Sequence, residues 1–357
     1  MQQLSALSPE PTPGWSSVSG SNAKTRAHID QCLSNGAQLS ARCGRRIPMD
    51  IGMGGLAAIG NTPLVRLGKV VPKGAAEVWV KLEGGNPTGS YKDRMAISVL
   101  SSAIDRGDLS PGDTVVEFTG GSTGTALAFV SGVLGLKFVA VFSDAFSNSK
   151  QQAMEAFGAK VLVEKCIDGK ITHELAERMK QRALALAGQP SHYYADQFGS
   201  PDVRRGYVPM GMEISRALDG RLDVLCAAVG TGAALMGTLD GLHGQGVSPK
   251  VIAVEPAQSP LLTTGKSGGH KVEGISVFPD PPFLDKSALN DVRTVDQDRG
   301  FDMCRRLARE EGIFGGGSTG LNVCAALEIA SEIGTGYRVV TFGCDNGVKY
   351  LGGHIYN

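Results

Sequence analysis

The stretch Asn86-Pro87-Thr88-Gly89-Ser90-Tyr91-Lys92-Asp93-Arg94-Met95-Ala96 decides how the rest of the chain is read. Asn86, Pro87 and Gly89 are turn formers, and a serine follows them shortly before a lysine. Beyond Lys92, the apolar residues Met95, Ala96, Val99, Leu100, Ala103 and Ile104 recur at helical spacing. The pattern predicts a tight loop running into a helix, with Ser90 as its N-cap. A lysine in a first helical turn stands against the positive end of the helix dipole. That field favours the neutral amine, the form that attacks a carbonyl to make a Schiff base. A solvated surface lysine is the plain alternative, and only further motifs decide between the two.

Outward from this loop, the chain alternates short apolar strands with helices. Strands are expected at 77–82, 114–118, 138–142, 160–163, 192–195, 224–228, 251–254 and 338–342, and a short extended run near 64–67. Helices are expected after Lys92 and at 124–134, 149–157, 173–187, 210–218, 235–242, 299–311 and 321–333. This alternation is the mark of parallel α/β sheets, here in two lobes with the active site in the cleft between them. Residues 273–284 hold Pro279, Pro281 and Pro282 with little periodicity. A long irregular segment inside an α/β unit reads as a functional loop.

With 357 residues, 42% of them hydrophobic, the chain is long enough for two domains with real cores. No apolar run reaches membrane-span length. Lys+Arg and Asp+Glu are both 35, so charge argues for neither nucleic acid nor a lipid surface as partner. The seven cysteines show no paired metal-ligand spacing, so no metal is expected and reduced thiols are the default. Cys226 and Cys344 lie in apolar runs and read as core. Residues 1–50 read differently. They are rich in Ser, Pro and Gln near the start, with a weak helical pattern at 25–39, and their basic residues outnumber the acidic ones. A flexible extension is the expectation, with cytoplasmic location; an organellar transit peptide is the alternative.

Three glycine-bearing loops open helices: Thr119-Gly120-Gly121-Ser122-Thr123-Gly124, Gly230-Thr231-Gly232-Ala233-Ala234 and Gly315-Gly316-Gly317-Ser318-Thr319-Gly320. The first two follow strands, where ligands bind in parallel sheets. Backbone amides at helix starts hold anions without a charged side chain. Three such loops and a loop lysine point to one phosphorylated ligand, or to a phosphorylated cofactor with a carboxylated substrate. A dinucleotide site is the rival, with Gly230-x-Gly232 and Glu255 for a ribose, but Leu235 stands where the third glycine belongs.

The set Gly60-Asn61-Thr62-Pro63-Leu64, Asn86 to Arg94 and Ala253-Val254-Glu255-Pro256 resembles the cysteine synthase and cystathionine β-synthase family, the fold type II pyridoxal-phosphate enzymes. The resemblance spans about Ile59 to Leu351. It implies a tryptophan synthase β-like architecture of two parallel-sheet, three-layer lobes around pyridoxal 5'-phosphate. Residues 51–92 with 199–357 would form the larger, cofactor-binding lobe and residues 93–198 a smaller, mobile substrate lobe. By the same resemblance Lys92 forms the internal aldimine and serves as the general base. Gly230, Thr231, Gly232, Ala233 and Ala234 cradle the phosphate, and Ser318 faces the pyridine nitrogen. Thr119, Gly120, Ser122 and Thr123 take the substrate carboxylate with help from Gln197, and Gly274 opens a loop that lines the site.

The activity implied is β-replacement on an activated, O-acetylserine-like serine by sulfide or another small nucleophile. It would run through an aminoacrylate to cysteine or an analogue. β-Elimination, as in a cysteine desulfhydrase or a serine/threonine dehydratase, is the runner-up, and a catalytically weak regulatory paralogue the third reading. A homodimer with no appended haem or regulatory domain is expected. Two positions depart from the family pattern: Ser122 replaces the usual asparagine, and Ala233-Ala234 replace Gly-Thr.

Overall fold

The computed structural model describes residues 54–167, 172–275 and 280–357; the extension 1–50 with its weak helical pattern lies outside them. The strands are β1 (Leu64–Arg66), β2 (Glu77–Leu82), β3 (Thr114–Phe118), β4 (Lys137–Ser143), β5 (Lys160–Glu164), β6 (His192–Tyr194), β7 (Val224–Ala228), β8 (Lys250–Pro256), β9 (Asp291–Val295) and β10 (Arg338–Gly343). The helices are α1 (Lys92–Arg106), α2 (Ser122–Val133), α3 (Asn148–Ala156), α4 (His173–Ala187), α5 (Pro201–Arg205), α6 (Val208–Ala217), α7 (Ala233–His243), α8 (Leu261–Thr264), α9 (Gln297–Arg306) and α10 (Gly317–Ile333).

The strands form two sheets, a six-stranded one in the order β1-β2-β10-β7-β8-β9 and a four-stranded one in the order β5-β4-β3-β6. Every pairing is parallel except that of β1 with β2. Burial follows the two-residue period of a strand on both sheets. In the small sheet, Val115, Phe138, Ala140 and Phe142 face one core, while Val116 and Val141 face Leu175, Met179 and Ala183 of α4. In the large sheet, Leu225, Ala227, Val251 and Ala253 share that first core, while Val224, Cys226, Ile252 and Val254 face α9 and α10. Both sheets are therefore covered on both faces, and one core, holding residues of α1, α2, α6 and α7, lies between them.

The structure corrects several expectations. The chain turns into a helix earlier than the apolar pattern indicates, at Ser122, Ala233 and Gly317, so the glycine loops themselves supply the first turns. Apolar periodicity is blind to such turns, because their residues are small or polar. The N-cap position of α1 is Tyr91, not Ser90, and it makes no side-chain cap bond; Ser90 Oγ accepts only from Lys92 N, at 3.3 Å. Strand β9 was not expected, since Asp291-Val292-Arg293-Thr294-Val295 is a polar edge strand with a single fully buried residue, Val295. Beyond Arg306 the backbone widens to a π-helical turn over Leu307–Glu311, ended by Gly312 at φ 70°.

Candidate active site

Lys92 opens α1 at the carboxyl end of β2, after a 3-10 turn over Glu83–Gly85 and the turn at Asn86 to Tyr91. The loop is held from beneath by a buried polar network. Arg94 donates to Glu83 through Nε (2.7 Å) and a terminal nitrogen (2.9 Å), and to both carboxylate oxygens of Glu213 (2.8 and 2.7 Å). Thr62 Oγ1 donates to Glu83, and Asn86 gives one amide bond to the Glu83 carboxylate while accepting from Gly60 N. Lys81 pairs with Glu213 at 2.6 Å. The Gly60-Asn61-Thr62 turn that marked the sequence is thus a brace for the lysine loop.

A pocket at the strand ends is lined by Tyr91, Lys92, Ala228, Gly230, Thr231, Gly232, Ala234, Leu235 and Gly274. The fold therefore brings Lys92 together with the second glycine loop and with Gly274, residues far apart in sequence. Protein atoms crowd the Lys92 ammonium, and desolvation lowers its pKa to about 8, against the opposing pull of Cys344 and Asp345. Gly230 and Gly232 admit no side chain. A Cβ on Gly230 would stand 2.3 Å from the Gly274 carbonyl oxygen, and Gly232 adopts φ 86° against the Leu284 backbone. Their amides lead into the N-terminus of α7, whose first turn (Ala233, Ala234, Leu235) leaves amides without intrahelical acceptors.

The first glycine loop is held in shape by one of its own side chains. Thr119 Oγ1 accepts from the amides of Gly121 and Gly124, both at 3.0 Å, so this side chain shapes the loop. The amides of Ser122 and Thr123, the first two residues of α2, have no intrahelical acceptor, the arrangement by which helix starts receive anions. Thr123 Oγ1 donates to Gln197 Oε1 at 2.8 Å, and Gln197 Nε2 donates to Phe118 O at 2.8 Å. Gly120 is the exposed residue of the loop, in contact range of the Phe146 ring. Beneath it, burial pushes Glu117 up to about 8, although Gln197 N and Phe118 N both donate to its carboxylate.

Ser318 lies buried in the first turn of α10, near the Cys344 thiol. Burial raises the Cys344 pKa to about 12, so the group stays a neutral thiol. Asn322, fully buried, accepts from Ala228 N at 2.6 Å and donates to Phe342 O at 2.8 Å, tying the ends of β7 and β10 to α10. The motifs gave no role to Tyr91 and Leu235, which line the pocket, to Cys344 and Asp345, which act on Lys92, or to Lys150 and Lys349, which lie against the first glycine loop. Glu255 has a different task from ribose binding: its carboxylate accepts from Leu262 N (2.6 Å), Thr263 N (3.1 Å) and Thr263 Oγ1 (2.7 Å) at the start of α8.

A desolvated lysine opposite a side-chain-free amide cradle fits a phosphorylated aldehyde, the lysine taking the aldehyde and the cradle the phosphate. Fold and site together define a fold type II enzyme of the pyridoxal-phosphate class. The chain belongs to the family described as "Pyridoxal-phosphate dependent enzyme", whose profile matches residues 56–345. Its cofactor is pyridoxal 5'-phosphate.

Among its relatives, a cysteine synthase of Staphylococcus aureus is 35% identical over 306 residues, covering 84% of this chain and 95% of the relative. An O-acetylserine-dependent cystathionine β-synthase of Bacillus subtilis is 35% identical over 301 residues, with the same coverage. The crystal structure of an O-ureido-L-serine synthase superposes with a TM-score of 0.79 at 35% identity, covering 85% of this chain and 94% of that one.

Proposed function

We propose that this chain replaces the β-substituent of an activated, O-acetylserine-like serine with sulfide or another small nucleophile, giving cysteine or an analogue. The observation that carries the reading is the convergence of Lys92 with Gly230, Thr231 and Gly232 in one pocket. The relatives named cysteine synthase and O-acetylserine-dependent cystathionine β-synthase support the same reaction class.

In this reading Lys92 Nζ holds the cofactor aldehyde, and Gly230, Thr231, Gly232, Ala233 and Ala234 hold its phosphate. Bound there, pyridoxal phosphate supplies an electron sink for the bond that breaks at the substrate's Cα. Ser318 faces the ring nitrogen as a neutral partner. The amides at Gly120, Ser122 and Thr123 hold the substrate carboxylate, with Thr119 and Gln197 fixing the loop's shape. Once freed by the substrate amine, Lys92 Nζ takes the Cα proton; its lowered pKa makes the neutral amine available near neutral pH. Gly274, whose carbonyl oxygen packs against Gly230, carries the edge of the entrance. Residues 93–198 would move as the substrate lobe against 51–92 and 199–357, in a cytoplasmic homodimer.

The test is product analysis of the holoenzyme with O-acetylserine, with and without sulfide. Cysteine formed only when sulfide is present supports the reading. Pyruvate and ammonia at the same rate in both would overturn replacement in favour of elimination, and no turnover with any β-substituted alanine would leave the regulatory paralogue. Light scattering tests the dimer.

A further inference from the structure

Two lysines absent from the proposed chemistry flank adjacent residues of the first glycine loop, and one of them bonds to Glu273, beside Gly274 of the pocket wall. Lys349 comes from the 3-10 turn Gly347–Tyr350 after β10, lies where a Cβ added at Gly89 would meet its Cε at 3.5 Å, and donates to Ser122 Oγ at 3.5 Å. Lys150, on α3, lays its aliphatic chain across Gly121, where an added Cβ would meet Lys150 Cδ at 2.5 Å. Its side chain is only 11% exposed, and its ammonium lies 5.9 Å from the centre of the Phe146 ring. Burial lowers the pKa of Lys349, and the Lys150 ammonium acts in the same direction. Paired cations in a half-desolvated place are costly unless an anion compensates them.

The acids nearby do this only in part. Asp93 is taken up by Thr88, through its amide at 2.8 Å and its hydroxyl. Asp345 accepts from Tyr350 OH at 2.6 Å, and burial raises its pKa. Glu273 alone reaches a lysine directly: its carboxylate bonds to Lys150 while half exposed to solvent, next to Gly274 of the pocket wall. This pair places a carboxylate between α3 and the segment that carries Gly274.

We infer that Lys150 and Lys349 form a second anion subsite beside the carboxylate loop, which takes an acidic group carried on the substrate's β-substituent. The inference rests on the proposed reading of the pocket as a site for a β-substituted alanine. The incoming group displaces the Glu273 carboxylate from Lys150 and stands beside Ser122, beyond the amides that take the α-carboxylate. A phosphate, or an acyl group bearing a free carboxylate, fits this chemistry; an acetyl group offers neither lysine a charge.

Calorimetric titration of the holoenzyme tests this with two unreactive ligands, L-2-amino-4-phosphonobutanoate and neutral L-methionine. The phosphonate is expected to bind about tenfold tighter or more. Lys150→Met and Lys349→Met should each erode that preference while methionine binding holds. Equal affinities in the unsubstituted enzyme would overturn the inference. So would a loss of methionine binding as large as that of the phosphonate, since the lysines would then serve the α-carboxylate. Should the variants fold poorly by circular dichroism, the salt dependence of the preference in the unsubstituted enzyme decides, because only a charge-carried preference falls with added salt. Loss of the visible cofactor band or of turnover with O-acetylserine would instead count against the proposed function, and it is read separately from these affinities.

Discussion

Arg94 and Glu83 meet in a bidentate pair with both side chains almost free of solvent, 3% and 0% exposed. The pair stands two residues beyond Lys92 and joins α1 to the turn after β2. Glu213 and Lys81 complete a network of two cations and two anions, so burial leaves no net charge uncompensated. Its geometry sets where the first turn of α1, and hence Lys92, can point.

Removing one member should therefore cost far more than a surface ion pair. Arg94→Met strands the Glu83 carboxylate, leaves Glu213 with Lys81 as its cation, and is expected to destabilise the protein by about 3–5 kcal/mol. Urea denaturation of the variant beside the unsubstituted protein measures it, and a loss no larger than that of an exposed pair would refute the brace.

Lys92 carries a pH signature of its own. Its folded-state pKa is lowered to about 8 from the model-compound value of 10.5. Between these values the folded chain binds fewer protons than the unfolded one, so in the cofactor-free protein stability should rise with pH across that window. Lys92→Met should remove this rise. Capture of added pyridoxal phosphate should likewise quicken with pH around a midpoint of about 8 in the unsubstituted protein, followed by stopped-flow absorbance, and Lys92→Ala should show no lysine-bound band at any pH.

Glu117 behaves with the opposite sign. Burial raises its pKa from 4.5 to about 8, so the folded state holds a proton that the unfolded state has released. Stability should fall as pH rises from about 4.5 to about 8. Glu117→Gln keeps the hydrogen-bonding shape without the charge and should flatten this slope in melting temperatures taken across the range. An unchanged slope would place the titration elsewhere.

The cradle makes a steric prediction. A methyl group on Gly230 would press on the Gly274 carbonyl, and one on Gly232 would sit at φ 86° against Leu284. Each alanine variant is expected to lose about 1–3 kcal/mol of stability through overpacking and strain. Cofactor affinity should fall with it, read by titrating the cofactor-free variant with pyridoxal phosphate. Ala233→Gly, on the helix side of the loop, should leave the phosphate seat intact.

Much of this molecule is legible in its residues because the signals are local. The alternation of apolar strands and helices follows from periodicity, and β3, β7 and α4 begin and end where the pattern says. Helix starts at Ser122, Ala233 and Gly317 were hidden, since a first turn made of glycine, serine and alanine has no apolar stripe to reveal it. Strand β9 was hidden because an edge strand buries little.

By itself the sequence determined the two-sheet α/β class, the lysine loop and the glycine turns, because each is specified by neighbours a few residues apart. Only the tertiary structure decided what those turns surround. Asn61 and Thr62 meet Glu213 and Glu83, Thr119 accepts from amides of its own loop, and Glu255 accepts from the first turn of α8. Lys349 reaches Ser122 across 227 residues of chain. Such contacts depend on how β10 and β3, in different sheets, bring their carboxyl ends to one cleft. No local propensity encodes that meeting; it follows from burying one shared core between the two sheets.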